Sequence, residues 1–180
     1  QFKIDPALID QFLKSMEMDL HAMEYNTEKY NQYILGSAEV VGLMCLQIFV
    51  EGNKEAYDSL KPYAMKLGSA FQKINFLRDL KDDYQILGRT YFPGVEMGSF
   101  NNAIKSSIEK DIEREFKEAL TGIKKLPASS RFGVYLAYKY YYSLFRKIKK
   151  VSAQQILQER IRIPNGQKFS LMMSSYVQYK

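Results

Sequence analysis

Between Leu67 and Arg89 the chain reads LGSAFQKINFLRDLKDDYQILGR, and its polar residues recur at helical spacing. With Gly68 set at zero, a turn of about 100° per residue places Gln72 at 40°, Asn75 at −20°, Asp79 at 20°, Asp82 at −40° and Asp83 at 60°. Gly68 and these five residues share one arc, and Lys73 and Lys81 lie opposite, among Ile74, Leu77, Leu80 and Tyr84. Lysine is almost never fully buried unless paired. If the lysines mark the wet side, or snorkel out to it, the Gln-Asn-Asp stripe faces inward. Two aspartates at i and i+4 repel by about 0.2–0.5 kcal/mol on an exposed helix and by more in a cavity. A divalent cation turns that repulsion into a binding site. Mg²⁺ takes one or two carboxylates, keeps several waters and completes its shell with phosphate oxygens. Asp79 and Asp83, with Gln72 and Asn75 beside them, fit that habit, with Mn²⁺ as the alternative ion. A lone D-x-x-x-D is more often a solvated helix face; the amides upstream and the opposed lysines are what favour a site. Just beyond, in Gly88-Arg89-Thr90-Tyr91-Phe92-Pro93, Arg89 stands where a guanidinium can chelate phosphate, with Tyr91 and Pro93 ordering the loop.

Composition narrows the chemistry further. The chain has 180 residues, a net charge of +6, 46% hydrophobic and 14% aromatic residues, which predicts one domain with a real core and excludes a disordered chain. Cys45 and His21 are the sole cysteine and histidine. An intramolecular disulfide and a cysteine-cluster or histidine-rich metal site are therefore excluded, and both residues are expected to be structural. Metal chemistry must rest on carboxylates, which select hard cations. The first residue is Gln1, no basic-then-apolar leader follows, and the apolar run Val40–Val50 is interrupted by Gly42 and Gln47. A cytoplasmic protein is the expectation. From Lys139 to Lys168 there are eight basic residues against one acid, Glu159. Such a stripe suits an anionic lipid surface, nucleic acid or a phosphorylated ligand, or is simply a solvated helix face.

The elements that must position these residues are helical. Asp5-Pro6 reads as an N-cap and first position of a helix running to about Met23. Thr27 is the expected cap of the next helix, which carries the apolar stretch to Val50. After Gly52-Asn53 a short helix is expected, and then Pro62 opens a longer one to about Leu87. Gly88, Pro93, Gly94 and Gly98 mark a loop. Ile104, Ile108, Ile112, Phe116, Leu120 and Ile123 define an amphipathic helix, with Glu109, Asp111, Glu113, Glu115 and Glu118 on its wet face. Pro127 stops it. Ser129 or Ser130 caps a tyrosine-rich helix to Lys150, and shorter helices follow. No period-two stretch and no internal repeat is present, so the fold class is all-α, in a single domain over 1–180.

Taken together, Gln72-x-x-Asn75-x-x-Arg78-Asp79-x-x-x-Asp83 followed by Gly88-Arg89-x-Tyr91-x-Pro93 resembles the second aspartate-rich motif of the squalene/phytoene synthase family. Met16-Glu17-Met18-Asp19-Leu20 is similar to the family's M-x-M-D-L segment, and Tyr33 to Gly42 to its Y-x-x-x-V-A-G-x-V-G helix. Leu67-Gly68 and Phe71-Gln72 match its L-G-x-x-[LF]-Q lead-in, and Tyr141 with Leu144 its late Y-x-x-[IL]. Two departures stand out. Ser37-Ala38-Glu39 replaces V-A-G, which predicts a buried or cavity-lining carboxylate at Glu39. The family's first aspartate-rich motif has no counterpart, so the chain is read as the C-terminal portion of a family member, one that by itself lacks part of the catalytic apparatus.

The resemblance implies an isoprenoid-synthase-type helical bundle around a central cavity, incomplete at its N-terminus. It implies a prenyltransferase that joins two prenyl diphosphates head to head through a cyclopropylcarbinyl intermediate in carotenoid and isoprenoid biosynthesis. Geranylgeranyl diphosphate giving phytoene is the first reading, and farnesyl diphosphate giving squalene or dehydrosqualene the second. Asp79, Asp83 and Arg89 become the catalytic set, with the metal on the two aspartates. Tyr33, Gly68, Phe71, Gln72, Asn75, Tyr91 and Tyr141 become substrate contacts, the aromatic faces shielding a carbocation. A non-catalytic assembly or binding factor is the competing class, against which retention of Asp79, Asp83 and Arg89 argues. No recognisable nucleic-acid motif accompanies the basic tail. A peripheral membrane contact remains its expected role, and the oligomeric state is not legible.

Overall fold

The computed structural model describes residues 3–21, 24–86, 88, 90–95 and 97–179. In chain order the helices are α1 (Pro6–Met18), α2 (Thr27–Ile34), a π turn (Leu35–Glu39), α3 (Val40–Phe49), α4 (Lys54–Gln85), α5 (Asn102–Ile123), α6 (Ala128–Lys150), α7 (Ala153–Gln158) and α8 (Asn165–Tyr179), with a 3₁₀ turn at Met97–Ser99. Among the described residues there is no strand. The all-α expectation is met.

Several helix ends differ from their sequence signals. Asp5 does cap α1, accepting from the Ala7 amide at 2.9 Å, but α1 closes at Met18; Met23 lies outside the described residues. Asn26, not Thr27, caps α2: its side-chain oxygen accepts from the Lys29 N–H at 2.9 Å, and Thr27 is already the first helical residue. Thr27–Phe49 is continuous helix through the π turn, 23 residues, long and apolar enough by length and composition to cross a membrane. Here its Tyr33, Ile34, Gly36, Ala38, Val40, Leu43 and Leu46 are buried in the fold. The largest departure is α4. Asn53 caps it, accepting from the Ala56 amide at 2.9 Å, and the helix runs unbroken for 32 residues with Pro62 inside. The donor lost at Pro62 is tolerated because Leu60 is buried beside it and Tyr63 packs against α5. Neither Ser129 nor Ser130 caps α6: Pro127 fills the N-cap position, and the Ser130 hydroxyl donates back to the Pro127 carbonyl at 3.3 Å.

α4 and α5 run antiparallel at the centre, with Ser69 beside Glu115 and Lys73 beside Asp111. Gly122 on α5 admits Tyr63: a Cβ there would stand 2.2 Å from the Tyr63 Cβ. Gly68 does the same for the π turn, since its Cβ would lie 2.6 Å from the Ala38 carbonyl oxygen. The main core joins Ile74 and Leu77 of α4, Ile112 and Phe116 of α5, Leu144, Phe145 and Ile148 of α6 and Ile156 of α7, all essentially inaccessible. The expected wet face of α5 is only partly wet. Glu109 is buried against Lys105 one turn away, and Glu115 is buried against Lys73. The pattern of charges misleads here because each buried acid has a buried cation to neutralise it.

Candidate functional site

The polar stripe of α4 forms a connected surface. Asn75 Nδ2 donates to Gln72 Oε1 at 3.3 Å, and the Tyr141 hydroxyl of α6 donates to Asn75 Oδ1 at 3.4 Å. Asp79, one turn on, is 21% exposed, so it neither bathes in bulk water nor sits in a dry core. Arg78 Nε donates to Asp79 Oδ1 at 2.9 Å, and Arg160, after α7, brings its Nε to 2.7 Å from the same oxygen. The Arg78 guanidinium is held above its usual pKa, first by its hydrogen bond to Asp79 and against the opposing effect of burial. Asp83 is half-buried one further turn along. Arg89 lies outside the described residues.

Below the stripe is a tube. It starts at Gln72, Phe71 and Tyr141, where the Phe71 and Tyr141 rings stack with centroids 3.9 Å apart, and it ends at Phe49, Leu60 and Leu126. Four helices form its wall, with Ser37 and Ala38 of the π turn near the top, Gly42 and Cys45 of α3, Ala64 and Gly68 of α4, Gly122 of α5 and Gly133 and Val134 of α6. Its volume is about 640 Å³ and its lining is mostly apolar, with Ser37, Gln72, Ser129 and Ser130 among the polar exceptions. Small residues make the hollow, because glycine and alanine on packed helices leave space where a larger side chain would fill it.

Of the residues singled out in the sequence, Gly68, Phe71, Gln72, Asn75, Asp79 and Tyr141 are brought together along this axis, with Asp83 following on the same face. Tyr33 and Tyr91 are not. Tyr33 donates its hydroxyl to Asp19 Oδ2 at 2.8 Å, and the Tyr91 hydroxyl reaches Asp19 Oδ1 at 3.4 Å. Both rings sit in an aromatic cluster with Tyr25 and Phe76, Tyr91 stacking on Phe76 at 4.2 Å, and neither lines the tube. Burial first, then Tyr91 and Asp19, push the Tyr33 phenol far above its ordinary pKa, so it stays protonated at neutral pH. Glu39 turns away from the tube into a second, polar pocket beside Lys66, Lys73 and Glu115. Lys73 itself overturns the premise that the lysines mark solvent: it is 7% exposed and paired with Asp111 and Glu115. Gly68 and Gln72 of the stripe still line the tube, because a paired lysine can occupy the rear of the helix as well as an exposed one. The sequence pattern alone does not place Arg78, Arg160 or Asp19 at the site. Arg78 carried a signal, adjacency to Asp79, whereas Arg160 is brought to Asp79 only by the fold.

The donors suit a hard cation. Asp79 and Asp83 offer carboxylate oxygens one turn apart, the number Mg²⁺ typically takes from protein. Among the described residues no three His, Cys, Asp or Glu side chains converge, so the rest of a shell would come from water and phosphate.

The family model described as squalene/phytoene synthase matches residues 1–114, well over half of the chain. The chain belongs to the squalene/phytoene synthase family. This is a family of head-to-head prenyl diphosphate condensing enzymes, generally dependent on divalent metal. The 4,4'-diapophytoene synthase of Staphylococcus haemolyticus is 24% identical, over 99% of this chain and 67% of its own. The chloroplastic phytoene synthase 1 of Solanum lycopersicum is 28% identical over 82% of this chain and 40% of its own, and the 15-cis-phytoene synthase of Pantoea ananas 26% over 96% and 59%. The chain thus spans between two-fifths and two-thirds of the length of these relatives. In architecture it is similar to a dehydrosqualene synthase crystallised with ligand (TM-score 0.76, 22% identity, covering 97% of this chain and 66% of that one). It is equally similar to YisP from Bacillus subtilis (TM-score 0.77, 21% identity, 96% and 72%).

Proposed function

We propose that the protein is a prenyltransferase that condenses two prenyl diphosphates head to head with Mg²⁺, and that its substrate is geranylgeranyl diphosphate and its product phytoene. The observation that carries this reading is an apolar hollow lined at one end by Phe71, Gln72 and Tyr141, followed along α4 by Asp79 with Arg78 and Arg160 beside it. The tube follows α4 from Gln72 to Leu60, twelve residues, or about 18 Å at 1.5 Å per residue. An extended carbon chain advances about 1.2 Å per bond, so the sixteen-carbon main chain of a geranylgeranyl group reaches about 18 Å and the twelve-carbon chain of a farnesyl group about 13 Å.

Mg²⁺ held by Asp79 and Asp83 would neutralise the departing diphosphate as a Lewis acid. The chain's own residues do the rest. Arg78 and Arg160, already beside Asp79, supply guanidinium donors to phosphate oxygens, joined by Arg89. Gln72 and Asn75 hold the head group at the mouth, with Asn75 fixed by Tyr141. Phe71 and Tyr141 present stacked faces to the allylic cation, an interaction worth about 2 kcal/mol when desolvated. The apolar wall keeps water from that cation. In this proposal Tyr33, Tyr91 and Asp19 order the loop after α4 and do not touch the chain of the substrate. A cytoplasmic location with a peripheral membrane contact through the basic end of α6 belongs to the same proposal.

Two similar proteins, a diapophytoene synthase and a dehydrosqualene synthase, favour a second reading with farnesyl diphosphate. One incubation separates them. The full-length protein with Mg²⁺ and geranylgeranyl or farnesyl diphosphate should release diphosphate and form a C40 hydrocarbon from the former. A C30 product alone would establish the second reading, and no diphosphate release from either would overturn both.

A further inference from the structure

The rear of α4 carries a buried charge cluster that the chemistry above leaves unused. Lys73 Nζ donates to Asp111 and, at 2.9 Å, to Glu115 Oε1. Ser69 Oγ donates to the same Glu115 oxygen at 3.0 Å, and Lys66 Nζ stands 3.6 Å from it. Glu115 is 3% exposed, and its Oε2 has no hydrogen-bond partner among the described residues. Glu39, Tyr30 and Arg114 face the same pocket. Stability does not explain such a cluster, because burying two charges forfeits their hydration, and an apolar pair of the same volume is often as stable or more so. An ion pair does have direction, which apolar contact lacks. α4 meets α5 along an antiparallel seam in which Tyr63 faces Gly122 and Lys73 faces Asp111 and Glu115. Lys73 is the directional contact of that seam nearest the polar stripe, next in sequence to Gln72 and about 120° around the axis from Asp79.

We propose that Lys73, clamped by Asp111 and Glu115, is a positioning residue that sets the rotation of α4 and so the direction in which Gln72, Asn75, Asp79 and Asp83 point. Its consequence for catalysis rests on the reading that this stripe receives the metal and diphosphate. Side chains end about 5–6 Å from a helix axis, so a rotation of about 20° carries their tips about 2 Å. A misplacement of about 1 Å is enough to lose about 100-fold in rate.

The test replaces the buried pair by apolar residues of similar volume, Lys73→Met with Glu115→Leu, in the full-length protein. Three quantities are read: the melting temperature, the side-chain amide NMR signals of Gln72 and Asn75, and the affinity for inorganic pyrophosphate with Mg²⁺. The proposal expects a melting temperature at or above that of the parent, shifted amide signals, and affinity lowered by at least about tenfold. Lys73→Arg, which keeps the charge, should restore most of the affinity. A folded double variant with unmoved amide signals and parental affinity overturns the proposal. Should the double variant fail to fold, Asp111→Asn removes one side of the clamp at a half-exposed position. It must shift the same two signals, and their constancy overturns the proposal equally. A parent protein that does not bind Mg²⁺ with pyrophosphate would refute the diphosphate reading, while the amide signals still decide whether Lys73 sets the helix face.

Discussion

Asp79 sits between Arg78 and Arg160 with its carboxylate 21% exposed, a charge hub that on the proposed reading serves binding more than it holds the fold. A partly exposed ion pair contributes about 0–1 kcal/mol. Asp79→Asn should therefore change the melting temperature by no more than about 4 °C in a chain of this size, yet weaken Mg²⁺-dependent pyrophosphate binding by at least about tenfold in a titration. Unchanged affinity would show that the stripe is not the metal face. Glu39 makes a different prediction. Burial first, and then Glu115, raise its carboxyl pKa, while Lys66 and Lys73 work the other way. A raised acid binds its proton more tightly in the folded state, so Glu39 lowers stability progressively as pH rises above the ordinary carboxyl value of 4.5, and fully once pH exceeds its folded value. Glu39→Gln should raise the melting temperature at pH 7–8, and the gain should vanish toward pH 4. A gain independent of pH would refute the assignment of this effect to ionisation.

Within the helices, α4 and α5 hold the site's geometry through two close approaches. Gly122→Ala would place a Cβ 2.2 Å from that of Tyr63, a clash against a ring base that cannot rotate away. Overpacking of this kind costs about 1–3 kcal/mol, or a fall of roughly 2–12 °C in melting temperature for a domain of this size. A stability equal to the parent's would mean that the seam is looser than it looks. These elements also show what sequence pattern reveals and what it hides. The arc from Gly68 to Asp83 follows from helical period alone, and so does the apolar side of α5, because periodicity is local. The unbroken passage of α4 through Pro62 was hidden, since a proline's cost is local and the packing of Leu60 and Tyr63 that offsets it is tertiary. The burial of Lys73 was hidden for the same reason: its partners Asp111 and Glu115 are about forty residues away, and nothing near Lys73 announces them. Likewise Arg160 reaches Asp79 only after α5, α6 and α7 have been placed.

At the scale of the molecule, the helices line a half-open apolar hollow with Gln72 and Tyr141 at one end, and α6 carries a basic C-terminal end. Lys149 there pairs with Glu113 and Lys147 donates to the Arg162 carbonyl, while Arg146 and Lys150 are exposed. Replacing Lys147, Lys149 and Lys150 by glutamine should reduce sedimentation with anionic vesicles, with the loss largest at low salt; unaltered binding would remove the membrane contact from the account. The tube itself has a built-in reporter, because Cys45 lines it, is the chain's sole cysteine and is exposed to reagent. Partial burial raises its thiol pKa, so alkylation is best followed near pH 8.5. The most direct measurement is the rate of Cys45 alkylation by a maleimide, with Mg²⁺ present throughout and a non-hydrolysable geranylgeranyl thiodiphosphate added. An isoprenoid tail in the tube and a head group on Asp79 and Asp83 predict a rate slowed by at least about tenfold, lost in Asp79→Asn, and no slowing by pyrophosphate alone. A rate indifferent to the prenyl analogue would contradict the central claim that this hollow receives the substrate.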